Sequence, residues 1–155
     1  MPTAIHNNST QKLLEEIHKE FLAALTLENT LRAERNEAVR AAVAQGASVT
    51  HLAKTGGISR ELLHRILRTA PPIQLGVHGV AGGGADVEAL VTTQKSLDTA
   101  ASMRAALENR RAAAIRLAIE GAGVTRTEIA RWAGVSSETV RKVCLGFSGV
   151  ARRKS

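Results

Sequence analysis

The chain repeats itself, and that repeat limits what it can fold into. Residues 49–68 laid over residues 126–145, an offset of 77, pair Thr50, Ala53, Gly57, Ser59 and Glu61 with Thr127, Ala130, Gly134, Ser136 and Glu138. Conservative pairs fill the intervals: Leu52/Ile129, Lys54/Arg131, Ile58/Val135, Leu63/Val140, Arg65/Lys142 and Ile66/Val143. Upstream, the likeness continues at an offset of 76. There Leu14, Phe21, Ala24, Leu31, Val39, Arg40 and Val43 fall on Leu90, Leu97, Ala100, Leu107, Ile115, Arg116 and Ile119. Each copy reads as one long helix followed by two short ones. The first copy covers 9–68 and the second 86–146, with a linker at 69–85 and a basic tail at 147–155. Pro71, Pro72 and the run Gly82-Gly83-Gly84 mark the linker, since both residue types interrupt regular structure.

Composition agrees with helices. Apolar residues make up 44% of the chain, yet it has only two Phe, one Trp and no Tyr, so its core is aliphatic. Ala, the strongest helix former, dominates, and no proline follows Pro72. The expected fold is all-α: tandem three-helix units.

The formal charge is +7 and is unevenly placed. Residues 35–68 carry net +4 and residues 104–155 net +7, while 1–34 and 69–103 each carry net −2. The two basic blocks are the two copies of the short-helix segment. A basic chain of this size points to a polyanionic partner. No apolar run is long enough to span a bilayer, which predicts no membrane partner, and Met1–Thr10 lacks the pattern of a secretory signal. The single cysteine, Cys144, has no internal partner and reads as a small buried hydrophobe. These features suit a reducing cytoplasm. The five histidines show no metal-ligand spacing. No nucleophile with a base, carboxylate pair, phosphate loop or nucleotide fingerprint stands out. The expectation is a non-enzymatic protein with no cofactor, no metal and no small-molecule effector.

The short helices carry start and stop signals. In the second copy Thr125 and Glu128 form a capping-box pattern, Gly134 ends the helix 126–133, and Ser136 caps a helix reaching about Leu145. In the first copy Ser48 caps, Gly56-Gly57 turn, and Ser59 caps a helix to Arg68. Ala53 and Ala130 fall where the two helices of a pair would cross.

This pattern resembles the helix-turn-helix DNA-binding family. The family's twenty-residue unit wants a small fifth residue, a ninth glycine, and apolar residues at positions four, ten, fifteen and eighteen. Those positions are Leu52, Ala53, Gly57, Ile58, Leu63 and Ile66 here, and Ile129, Ala130, Gly134, Val135, Val140 and Val143 in the second copy. The resemblance implies double-stranded DNA as partner, with the second short helix of each pair in the major groove. The base-reading residues it implies are Ser59, Arg60, Glu61, His64 and Arg65, then Ser136, Ser137, Glu138, Arg141 and Lys142. Arg60 and Arg141 suit guanine; Glu61 and Glu138 suit cytosine, a neighbouring arginine or the helix dipole. Phosphate contacts are implied for Thr50, Arg68, Arg126 and Thr127, and for the tail residues Arg152, Arg153 and Lys154. The faces differ at Arg60/Ser137 and His64/Arg141, so two unlike half-sites are expected.

The leading function is a transcription regulator, a repressor, of the kind that phage or plasmid control proteins exemplify, working at the bacterial nucleoid. Two other readings stand beside it: an accessory factor for partition, replication or recombination, and a sigma-like polymerase adaptor. Trp132, standing where the first copy has Thr55, is expected to pack on an upstream helix or on the tail rather than to stack on a base. The long helices carry a seam at Leu14, Ile17, Phe21, Ala24 and Leu31. They could pack in parallel register within one chain, Glu28 facing Arg104, or join two chains as a homodimer.

Overall fold

The computed structural model describes residues 3–69, 83–121 and 123–146, with side chains described from residue 8 and, after the linker, from residue 87. All regular structure among them is helical: α1 (Thr3–Ala44), α2 (Val49–Gly56), α3 (Arg60–Arg68), α4 (Gly83–Glu120), α5 (Arg126–Ala133) and α6 (Ser137–Cys144). The long–short–short order therefore occurs twice, as the repeat implies.

Local chemistry sets the short helices. Ser48, Ser59, Thr125 and Ser136 sit in extended backbone before α2, α3, α5 and α6, and each side-chain oxygen accepts from an amide of the first turn. Gly57 and Gly134 end α2 and α5 in the left-handed region, both at φ 63°. A side chain there would strain the backbone by about 1–2 kcal/mol. After α5 the Val135 amide donates back to the Ala130 carbonyl at 3.0 Å, closing the turn before Ser136 starts α6.

The chain divides into two compact units, 26–101 and 1–25 together with 102–155. The division falls inside both long helices, so the units do not follow the sequence boundaries 9–68 and 86–146. In unit 26–101, α2 and α3 bury Leu52, Ile58, Leu63 and Ile66 with Val39 and Ala42 of α1 and Leu90 of α4. In the other unit, α5 and α6 bury Ile129, Ala130, Trp132, Ala133, Val140 and Val143 with Ala114, Ile115 and Ala118 of α4. Leu14 and Ile17, from the opening half of α1, complete that second core. Leu14 and Leu90 occupy matched places in the repeat, yet each is buried against the short helices of the other copy.

This corrects the parallel register. Leu14 and Leu90 would be neighbours in it, but they belong to different cores. Within each unit the long-helix segments run in opposite directions. In one, Arg110 pairs with Glu20 at 2.9 Å and Arg111 lies 4.2 Å over the Phe21 ring, while Leu14 and Ile17 join Ala114, Ile115 and Ala118. In the other, Leu90 meets Val39 and Ala42, and Asp98 acts electrostatically on Arg35. The physical reason is coverage. A short-helix pair follows the C-terminal end of its own long helix, and an opposed segment supplies the second apolar face that the pair needs. Glu28 is buried and pairs along its own helix with Arg32.

Two further expectations change. Gly83 and Gly84 lie in the first turn of α4 rather than in a linker; a helix of 38 residues absorbs the cost of about 1 kcal/mol per glycine. The rest of the linker segment, 70–82, lies outside the described residues, as does the tail 147–155. Cys144 is exposed, its thiol donating to the Val140 carbonyl at 3.0 Å, because it stands one step round α6 from the buried Val143. Trp132 is buried beside Leu14 and Ile17, as the upstream-packing reading expects.

Two stability outcomes follow. Leu14→Ala should cost about 2–5 kcal/mol, and it should perturb the fluorescence of Trp132, although 118 positions separate the two in sequence. Unchanged Trp132 emission through the native baseline would refute the exchanged packing. Gly57→Ala should cost about 1–2 kcal/mol from backbone strain alone, since no atom stands near its added carbon. Gly134→Ala should cost more, because the new carbon would overlap the His18 ring. A double-mutant cycle with His18→Ala, read by thermal melting, should recover only that excess.

Candidate nucleic-acid interface

Burial decides which face each second short helix presents. Leu63 and Ile66 anchor α3 inward, and Val140 and Val143 anchor α6 inward. At about 100° per residue the remaining positions form one outward arc on each helix. On α3 that arc holds Arg60, Glu61, His64, Arg65 and Arg68, all exposed, with Ser59 exposed at its cap. On α6 it holds Ser137, Glu138, Arg141 and Lys142, also exposed, with Ser136 at its cap. Thr50, at the start of α2, and Arg126 and Thr127, at the start of α5, are exposed too. Every described residue that the resemblance implies for base or phosphate contact is thus open to solvent. Arg152, Arg153 and Lys154 lie outside the described residues.

The two arcs share a frame but not a chemistry. On α6, Glu138 takes Arg141 side-on: Nε donates to Oε2 and Nη2 to Oε1, each at 2.8 Å. The hydrogen bond from Arg141 holds the Glu138 carboxyl below the usual carboxylate range and raises the Arg141 guanidinium further. On α3 the same two positions are Glu61 and His64, and Arg60 stands where α6 has Ser137. The Ser136 hydroxyl, besides capping α6, lies 2.9 Å from the Thr139 hydroxyl.

The approach to α6 is fixed from behind by a contact no spacing rule foresees. The His18 ring, from α1, fills the space over the left-handed Gly134, so the turn between α5 and α6 is clamped by a residue 116 positions earlier. Its counterpart in the repeat is Gln94, and Gly57 has no such cover. Burial leaves His18 Nδ1 and Trp132 Nε1 without hydrogen-bond partners. At the other end of α5, Glu128 accepts from the Thr125 amide at 2.9 Å and its hydroxyl at 2.8 Å, and the Glu128 amide donates to that hydroxyl at 3.3 Å. This reciprocal cap holds Arg126 and Thr127 at the head of the unit.

Among the described residues no helix is long and apolar enough to cross a membrane, and no cluster of His, Cys, Asp or Glu is placed to hold a metal.

The cap has a pH signature. The Thr125 amide first, and its hydroxyl second, hold the Glu128 carboxyl below its ordinary value. A carboxyl whose folded value is depressed stabilises the fold above its unfolded value and loses that contribution as pH falls through the folded one. Hydrogen-exchange protection at the Thr125 amide should therefore fall on acidification through and below the usual carboxylate range. In Glu128→Ala that pH-dependent part should vanish; protection with the same pH profile in the variant would contradict the assignment.

Compared with known protein families, characterised proteins and solved structures, the chain finds no match.

Proposed function

We propose that this chain is a sequence-specific double-stranded DNA-binding protein that reads two unlike half-sites, one with α3 and one with α6, and regulates by occupying its site. One observation carries the reading. Each unit holds a short helix by two buried apolar residues and turns an uncovered, cation-rich arc outward, with the same cap and turn geometry before it. An exposed helix of this diameter fits the major groove, where base edges display a distinguishing pattern of donors and acceptors. Arg60, Arg65, Arg141 and Lys142 supply the donors; Arg68 at the end of α3, with Thr50, Arg126 and Thr127 at the heads of α2 and α5, would meet phosphate, and all are exposed. The unequal arcs favour an asymmetric site over a palindrome.

Selection of bound duplexes from a random pool tests this directly. A two-part, non-palindromic motif is expected; no retention of any duplex at low ionic strength would overturn the proposal. On the selected site, Arg60→Ala and Arg141→Ala should each weaken binding by about 1–3 kcal/mol and relax preference in only one half of the motif. Removing Arg152 to Lys154 should instead weaken all sequences alike and flatten the salt dependence. Titrations across a salt series separate the two behaviours.

A further inference from the structure

We infer that Glu138 is a positioning residue for base recognition: it grips the inner edge of Arg141 and leaves the outer edge of the guanidinium to select guanine. The inference rests on the DNA-reading proposal and specifies which donors do the reading. A guanidinium carries five N–H groups in a rigid plane. Glu138 engages the Nε hydrogen and one Nη2 hydrogen, through two bonds of 2.8 Å. The remaining edge offers one Nη1–H beside the other Nη2–H, parallel and coplanar. Guanine displays N7 and O6 side by side in the major groove, the acceptor pair that such an edge matches.

Three features support a positioning role over a structural one. Both side chains are about half exposed, at 54% and 52%, so neither fills the core. An exposed ion pair of this kind contributes little to stability. Pairing also cancels the charge of Arg141, which weakens it as a general phosphate anchor while fixing its plane. It favours discrimination over bulk affinity. The other unit supplies an internal contrast: Glu61 repeats Glu138, but His64 stands in place of Arg141, so α3 has the grip without the fork.

The test runs the random-pool selection in parallel on the full chain and on Glu138→Ala, Arg141→Lys and His64→Arg, with folding checked by circular dichroism. Wild type should enrich a guanine in the half read by α6. Glu138→Ala and Arg141→Lys should each lose that guanine preference by about tenfold or more while keeping the rest of the motif. Glu138→Ala should bind unselected duplex more tightly, having lost a negative charge beside the DNA. His64→Arg should add a guanine to the half read by α3. The inference is overturned if Glu138→Ala keeps the guanine, if it loses a cytosine instead (Glu138 then reads a base itself), or if His64→Arg gains nothing. Those failures leave the two-part motif of the wild type intact. Absence of any wild-type motif would remove the DNA-reading proposal itself. Should Glu138→Ala not fold, Arg141→Lys and His64→Arg decide the matter alone.

Discussion

Two short helices joined by a tight turn cannot bury enough apolar surface to stand alone. The rest of this structure depends on how that shortage is met. Each short-helix pair closes its core with residues from both long helices: Leu90 with Val39 and Ala42 in one unit, Leu14 and Ile17 with Ala114, Ile115 and Ala118 in the other. Opposed long-helix segments make this possible within each unit. A duplicated sequence thereby yields two similar cores, each completed by the other copy's long helix.

The same burial sets the chemistry of the outer faces. With Leu63 and Ile66, or Val140 and Val143, committed inward, the cations and hydroxyls between them have only one way to point. Duplication then gives a shared frame on which single residues can diverge. Arg141 is gripped by Glu138, while His64 takes the equivalent place on α3; His18 clamps the Gly134 turn, while Gly57 is open. These differences are small in sequence. They fall on the outward arcs that the DNA-reading proposal turns toward a partner and on the turn that leads into α6.

Much of the local structure was legible in the chain because its causes are local. Ser48, Ser59, Thr125 and Ser136 cap within three residues of themselves, and the glycines at 57 and 134 end helices through their own backbone freedom. The apolar spacing on α3 and α6 also foretold their exposed arcs, so every described candidate residue lies on the surface. Misreadings arose where the cause was cooperative or distant. Gly83 and Gly84 look like breakers, yet a long helix carries them. Cys144 looks like core, yet an eight-residue helix has too narrow an apolar stripe to cover it. The Arg141–Glu138 bonds were one of three options at the Glu138 position, since spacing alone does not choose a rotamer.

Sequence by itself determined the all-helical content, the repeat of one long and two short helices, the turn positions and the outward cations. Each follows from propensity, capping or periodicity acting over a few residues. Tertiary structure decided which half of each long helix completes which core, and that His18 sits on Gly134. Those outcomes depend on competition between nearly equivalent apolar faces. The winner is set by which opposed segment can cover a short-helix pair, a comparison between surfaces far apart in the chain that no local pattern encodes.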